Sequence, residues 1–350
     1  MPIIIKPVAN IDNPTDGFDP EISYQMIPLG KSREMELQTG DFKAEMSFSE
    51  PGISRMSNFR ILQQKVPNLF PLPGPGVEVD RITLPEKSFI QFTLSGRNVG
   101  RTFLAGSDRP TGGDDLLPAD FLLEISVKPH QTRKFAVCYV FDRINKDSGT
   151  RVAFGRLFRE ISAIYEKQAN TSLINIDGDL SSSSAARTIT INGTSGRTFR
   201  LFDTRLLGRV VDAFEAQFPG VFNQTNCVVF PVPVPLQVSD RRPLGFQMNI
   251  HRMSDDRRFN TIFVGPTQNS RDASLRHTLA HEIGHHFGLD HNPARQPPGP
   301  TPRTRPDPDT LPNAMHNLMF PTNLIESNRV NRAQIENMHA FIPPFRDIDI

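Results

Sequence analysis

His281-Glu282-Ile283-Gly284-His285-His286-Phe287-Gly288-Leu289-Asp290-His291 is the stretch on which the reading of this chain turns. It falls at the end of a helical pattern, in which Leu275, Leu279 and Ile283 recur at i, i+4 and i+8 and Ser270 or Asp272 can cap the start. Residues four apart share a helix face one turn apart, so His281 and His285 can aim imidazole nitrogens at one metal ion, roughly 2.0–2.1 Å from each. Glu282 is one step round from His281, outside the ligand pair but in reach of a water on that metal. Zinc lowers the pKa of such a water toward ~7, so that a carboxylate can complete the deprotonation at neutral pH. Gly288 readily takes the left-handed conformation that ends a helix, and the turn lets the chain double back to bring His291 to the same metal. A catalytic zinc needs three protein ligands and one open position, and His281, His285 and His291 supply the three.

These residues resemble the signature of the metzincin peptidases, H-E-x-x-H-x-x-G-x-x-H followed by a methionine-containing turn, and all its fixed positions are present. The resemblance implies Zn2+ as cofactor, His281, His285 and His291 as its ligands, and Glu282 as the catalytic general base. It implies a Met-turn at Asn317-Leu318-Met319-Phe320-Pro321, with Met319 beneath the ligands and Met315 as the alternative methionine. It also implies a mixed α+β catalytic domain. That domain has a twisted mixed sheet with a backing helix and the active-site helix above, and a smaller irregular half below with the Met-turn and a C-terminal helix. Some metzincin groups carry a tyrosine two residues after this methionine. Here that position is Pro321, and the tyrosines are Tyr24, Tyr139 and Tyr165. The resemblance therefore leans toward reprolysin-like or matrixin-like sites and away from astacins and serralysins; the glycine-rich calcium repeats that accompany secreted serralysins are also missing. It rests on residues 281–291 and the downstream turn; nothing before residue 120 carries it.

Outward from the motif, the preceding segments alternate between strand and helix patterns. FLLEISV (121–127) and KFAVCYVF (134–141) read as strands. Phe154, Leu157, Phe158, Ile161, Ile164 and Tyr165 form a one-sided apolar stripe, hence a helix. RTITING (187–193) alternates like a strand, and Leu207, Val210, Val211, Phe214 and Phe218 make a second stripe ended by Pro219-Gly220. CVVFPVPVPL (227–236), GFQMNIH (245–251) and FNTIFVG (259–265) are strand candidates, the first with prolines that turn part of it into an edge or irregular exit. A last helix is expected at 331–341. Before residue 120 the chain reads as β-structure and loops, with strands at SFIQFTLSG (88–96) and VGRTFLAG (99–106) and Pro-Gly breaks at 67–76 and 108–118. Two domains follow, a β-rich accessory or targeting domain over 1–118 and the zinc peptidase domain over 119–350. The length of 350 residues suits that division at roughly 100–200 residues per domain.

Composition narrows the function classes. Hydrophobic residues make up 37% and charged residues 22%, as in a globular protein with a core. Net charge is +1, so nothing electrostatic points to nucleic acid. No apolar run reaches the ~18–20 residues of a membrane helix. The start, MPIIIKPVANIDNP, lacks the form of a secretory signal, so the expectation is secretion or delivery by a route without a visible signal peptide, with cytoplasmic synthesis also open. The two cysteines, Cys138 and Cys227, sit in apolar strand-like runs and read first as free buried thiols.

Other features read as structure. His277 and His286 lack ligand spacing and are taken as solvent-facing or supporting histidines; His316 in the expected turn and Asp290 stay open between cleft and turn roles. Asn-Ile-Asp-Gly-Asp at 175–179 lacks the ligand series of a calcium loop and reads as a turn. The proline-rich stretch 293–312 reads as a flap over the cleft or as a linker. The expected partner is a protein or peptide substrate, laid extended along an edge strand at 245–251 or 259–265, with a surface or carrier partner for the first domain. Rival readings are a zinc-containing binding or adhesion protein without turnover, and a zinc hydrolase of a non-protein amide.

Overall fold

A computed structural model describes residues 4–8, 17–19, 23–40, 44–64, 71–107, 120–142, 154–177, 187–191, 198–265, 272–289, 318–319, 330, 332–340 and 347–350. The chain forms a mixed α+β protein of two compact units: Met1–His130 with Lys167–Asn170, and Gln131–Glu166 with Thr171–Ile350.

The first unit is built from β1 (Ile4–Pro7), β2 (Phe18–Asp19), β3 (Tyr24–Pro28), β4 (Ser32–Gln38), β5 (Ala44–Phe48), β6 (Ser54–Gln64), β7 (Arg81–Leu84), β8 (Ser88–Gly96), β9 (Gly100–Ser107) and β10 (Asp120–Lys128). They form two sheets, ordered β1-β4-β8-β6 and β2-β3-β10-β9-β5-β7. Alternation drives this: along β8 every second side chain is buried, so one face of the strand meets the core and the other does not. Met35, Leu37, Ile90 and Phe92 of one sheet join Ile27, Met46, Leu104 and Ile125 of the other in a single apolar core. Strand 121–127, expected to open the second domain, belongs here. β10 pairs antiparallel with β9 and parallel with β3, which carries the first unit to His130, past the expected junction at 118–119.

The second unit has β11 (Gln131–Asp142), α1 (Phe154–Ala169), β12 (Thr171–Asn175), β13 (Arg187–Ile191), β14 (Phe199–Arg200), α2 (Thr204–Gln217), α3 (Val221–Gln224), β15 (Cys227–Pro231), β16 (Leu236–Gln237), β17 (Gly245–Arg252), β18 (Arg257–Val264), α4 (Asp272–His286), α5 (Arg332–Ala340) and β19 (Asp347–Asp349). Its main sheet runs β12-β11-β15-β18-β17-β19, with β13 also on β11. β11, β12, β13, β15 and β18 form a parallel set; β17 runs antiparallel to its neighbour β18, and β19 runs parallel to β17. β18 lies between β15 and β17, which removes 259–265 as an edge strand. Pro231 ends β15, where the sequence places an irregular exit.

Strand alternation assigns the two faces of this sheet. Ala136, Cys138 and Val140 of β11 and Met248 and Ile250 of β17 share a core with Leu207, Val210, Val211 and Phe214 of α2. Phe135 points the other way, its ring 5.5 Å from Phe158 of α1 and 5.7 Å from His286 of α4. α4 is thus a central helix on the face opposite α2, tied to α1 by the Arg276–Glu160 ion pair at 3.3 Å. Its burial is not confined to Leu275, Leu279 and Ile283: His277, Thr278, His281, Glu282 and His286 are buried as well. His277 and His286 are therefore interior residues, which corrects the solvent-facing alternative for both. Both cysteines are free and buried. Asp177, in the calcium-like stretch, instead pairs with Arg187. Among the described residues no helix is long and apolar enough to cross a membrane.

Candidate metal centre

α4 carries His281, Glu282 and His285 in its last turns, and how the helix ends decides how they point. Gly288 adopts φ +78°, the left-handed region that favours glycine. The Leu289 N–H donates to Gly284 O at 3.0 Å and the Gly288 N–H to His285 O at 2.9 Å, the paired closure of a Schellman turn. That turn swings the Leu289 carbonyl to 2.7 Å from His285 Nδ1. His281 Nδ1 lies 3.0 Å from the carbonyl of Leu318, 37 residues on. A carbonyl only accepts, so each Nδ1 carries the proton and each Nε2 the lone pair, which is the tautomer a metal-binding imidazole requires. The rings stand 4.8 Å apart and nearly perpendicular, at 89°. This donor set fits a borderline-soft divalent ion such as zinc.

Leu318 and Met319 are fully buried at this end of α4. Met319 lies against Gly284, between the two histidines in sequence: a Cβ there would collide with Met319 Sδ and stand 3.4 Å from the Tyr165 hydroxyl. Tyr165 of α1 donates its hydroxyl to Ala280 O at 2.7 Å, and burial raises its pKa well above the ordinary phenol value. Glycine at 284 thus allows the Leu318-Met319 segment, α1 and α4 to meet at one point.

Glu282 faces the sheet. Its Oε2 accepts the Gln247 N–H of β17 at 2.8 Å. Gly245 permits this approach, since a Cβ at that position would sit 2.7 Å from Thr278 Cγ2 and 2.8 Å from Glu282 Cγ. Burial pushes the Glu282 carboxyl up to about 7, opposed by the Gln247 hydrogen bond. His286, packed edge-on against Phe135, is pushed down to about 3 by burial and then by the charge of Arg133, so it stays neutral and structural.

The structure brings His281, Glu282, His285 and Met319 together. His291 lies outside the described residues, as do Asp290, the stretch 293–312, Met315, His316 and Pro321, and among the described residues no group of three or more metal-ligating side chains converges. Sequence reasoning missed Gly245, Gln247, Tyr165 and Gly284 as partners of the site. The available signal was an isolated glycine inside a helix pattern and another at a strand start, each marking a close approach.

No protein family and no curated protein matches the chain. Among solved structures, a chain from a chaperone–substrate complex is similar over 74% of this chain, at 10% identity and a TM-score of 0.33. This chain spans only 38% of that one's length. A family two carbohydrate esterase from Cellvibrio japonicus is similar over 61% of this chain and 75% of its own, at 14% identity and a TM-score of 0.13. An acetyl xylan esterase from the rumen bacterium Butyrivibrio proteoclasticus is similar over 72% and 68%, at 12% identity and a TM-score of 0.12. Likenesses this slight carry no argument about fold or function.

Proposed function

We infer that the second unit is a zinc-dependent endopeptidase of the metzincin type. One observation carries the reading: two imidazoles one helical turn apart, each with Nδ1 fixed on a backbone carbonyl, beside a buried carboxylate. His281 and His285, with His291 as the third ligand from the sequence motif, would hold the metal. Bound there, zinc supplies a Lewis acid for the scissile carbonyl and acidifies water. Glu282, held on the Gln247 N–H, takes the proton of the attacking water and passes it to the leaving amine. The backbone edge of β17 offers hydrogen bonds to an extended peptide beside that carboxylate. A mixed sheet backed by α1, with the site helix packed on the same face and Leu318-Met319 under Gly284, supports the family assignment.

The test is metal analysis and cleavage of a mixed peptide library with and without a chelator. The protein should bind one zinc per chain, and the His281→Ala, His285→Ala and His291→Ala variants should each lose most of it. Full zinc in His285→Ala would sink the ligand assignment. Glu282→Ala should keep zinc yet lose cleavage by at least the ~10²–10⁴-fold typical of acid–base catalysis. Zinc loss in that variant would make Glu282 a ligand, and retained cleavage would exclude it as the base.

A further inference from the structure

The edge of β17 that would receive a peptide is already in use along half its length. Gly265 N–H donates to Leu244 O at 2.9 Å, which fixes the alternation of the antiparallel ladder. Residues 246, 248 and 250 bond inward to β18, and 245, 247, 249 and 251 present their backbone groups outward. Glu282 takes the outward N–H of Gln247. Two residues further on, β19 begins, in register Asn249↔Asp347, Ile250↔Ile348 and His251↔Asp349. Ile350 N–H donates to His251 O at 2.9 Å and Met253 N–H to Ile350 O at 3.2 Å, so the outward groups beyond Asn249 are taken.

This strand is anchored. Ile348 and Ile350 pack against the apolar core under α2. His251 links the strand to the β17–β18 turn, with Nδ1 2.9 Å from Asp349 and Nε2 2.7 Å from Asp256. Among the described residues, no strand pairs with the outer edge of Gly245–Gln247. From Gln247 to Asn249 is about 7 Å at the strand rise of ~3.3 Å per residue.

We propose that β19 is a built-in end-stop of the peptide cleft: it occupies the edge an extended substrate would otherwise follow, so that one side of the scissile bond accepts only about two or three residues. The substrate class is then peptides cut close to one terminus, with the other side free to be long. This rests on the peptidase reading above.

The experiment uses a nested peptide set sharing one cleavable core, lengthened a residue at a time at either end, with products read by mass spectrometry. Full-length protein should tolerate extension at one end and lose at least tenfold in rate when the other passes about three residues. Deletion of residues 347–350 should lift that limit at the same end only. His251→Ala with Asp349→Ala, which loosens the strand without removing it, should lift it in part. Hydrogen exchange gives a readout that needs no catalysis: amides 249–253 should be protected in the full chain and lose protection in the deletion. Equal rates for long extensions at both ends of the full-length protein would overturn the end-stop. So would an unchanged length profile in variants that keep zinc, or amides 249–253 that exchange equally fast with and without β19. Cleavage of no peptide by any variant, with exchange protection as expected, would overturn the peptidase reading instead.

Discussion

Gly284 is the residue on which the candidate centre is most exposed to small change. Replacing glycine by alanine inside a helix ordinarily gains about 0.8–1.0 kcal/mol of helix propensity. Here the added methyl would collide with Met319 Sδ, in a site where Met319 and Leu318 are fully buried. Overpacking of that kind costs about 1–3 kcal/mol, so the clash outweighs the propensity. Gly284→Ala should lower stability by about 1 kcal/mol in denaturant titration and weaken zinc binding, because displacing Met319 also shifts the neighbouring Leu318 carbonyl that orients His281. A variant more stable than wild type with full zinc affinity would show that the approach is not needed. Tyr165→Phe should cost about 1 kcal/mol, the usual contribution of one buried hydrogen bond, and leave zinc content unchanged. Loss of zinc in that variant would assign Tyr165 to the metal centre rather than to helix packing.

At the scale of elements, β19 is coupled to solution pH through His251. Asp256 first, and then Asp349, hold His251 above its ordinary pKa, while Arg258 stands opposite it on β18 and Arg252 and Arg257 stand nearby. A group whose folded pKa is raised contributes stability that is fully present below its unfolded value of about 6.5 and is lost as pH rises through the folded value. The melting temperature of wild type minus that of His251→Gln should therefore be largest at pH 5 and shrink toward zero at alkaline pH. A difference that grows with pH would contradict the paired geometry. The elements legible in the sequence are those with internal periodicity: the stripes of α1 and α2, and the alternation of β8. α4 was legible through its motif and its Gly288 stop. β19 was not, because three residues carry no period and its partner lies 98 residues away at the His251–Asp349 contact. The site divides in the same way. His281, Glu282 and His285 were local and readable, whereas the acceptor at Leu318, the donor at Gln247 and the Tyr165 hydroxyl come from segments 35 to 115 residues away.

For the whole molecule, the informative case is β10. Its run Phe121-Leu122-Leu123-Glu124-Ile125-Ser126-Val127 has the apolar density of a strand buried on both faces, and composition alone fits either unit. Pairing decides it: β9 and β3 flank it, and Leu122, Leu123, Ile125 and Val127 are buried in the core of the first unit. Glu124, buried within the same strand, meets Arg101 of β9 at 3.1 Å. A fragment starting at residue 120 would carry this strand without either neighbour, exposing apolar side chains and a row of backbone groups open to pairing with other chains. A fragment starting at Gln131 begins instead with β11, whose partners β12, β13 and β15 all lie within it. The 131–350 fragment should therefore be monodisperse and bind one zinc, while 120–350 should aggregate. Light scattering and metal analysis on the two, prepared side by side, check this. Equal solubility of both would mean that β10 is indifferent to its partners. Failure of 131–350 to fold while the full chain folds would mean that the two units depend on one another for stability, despite each having an apolar core of its own.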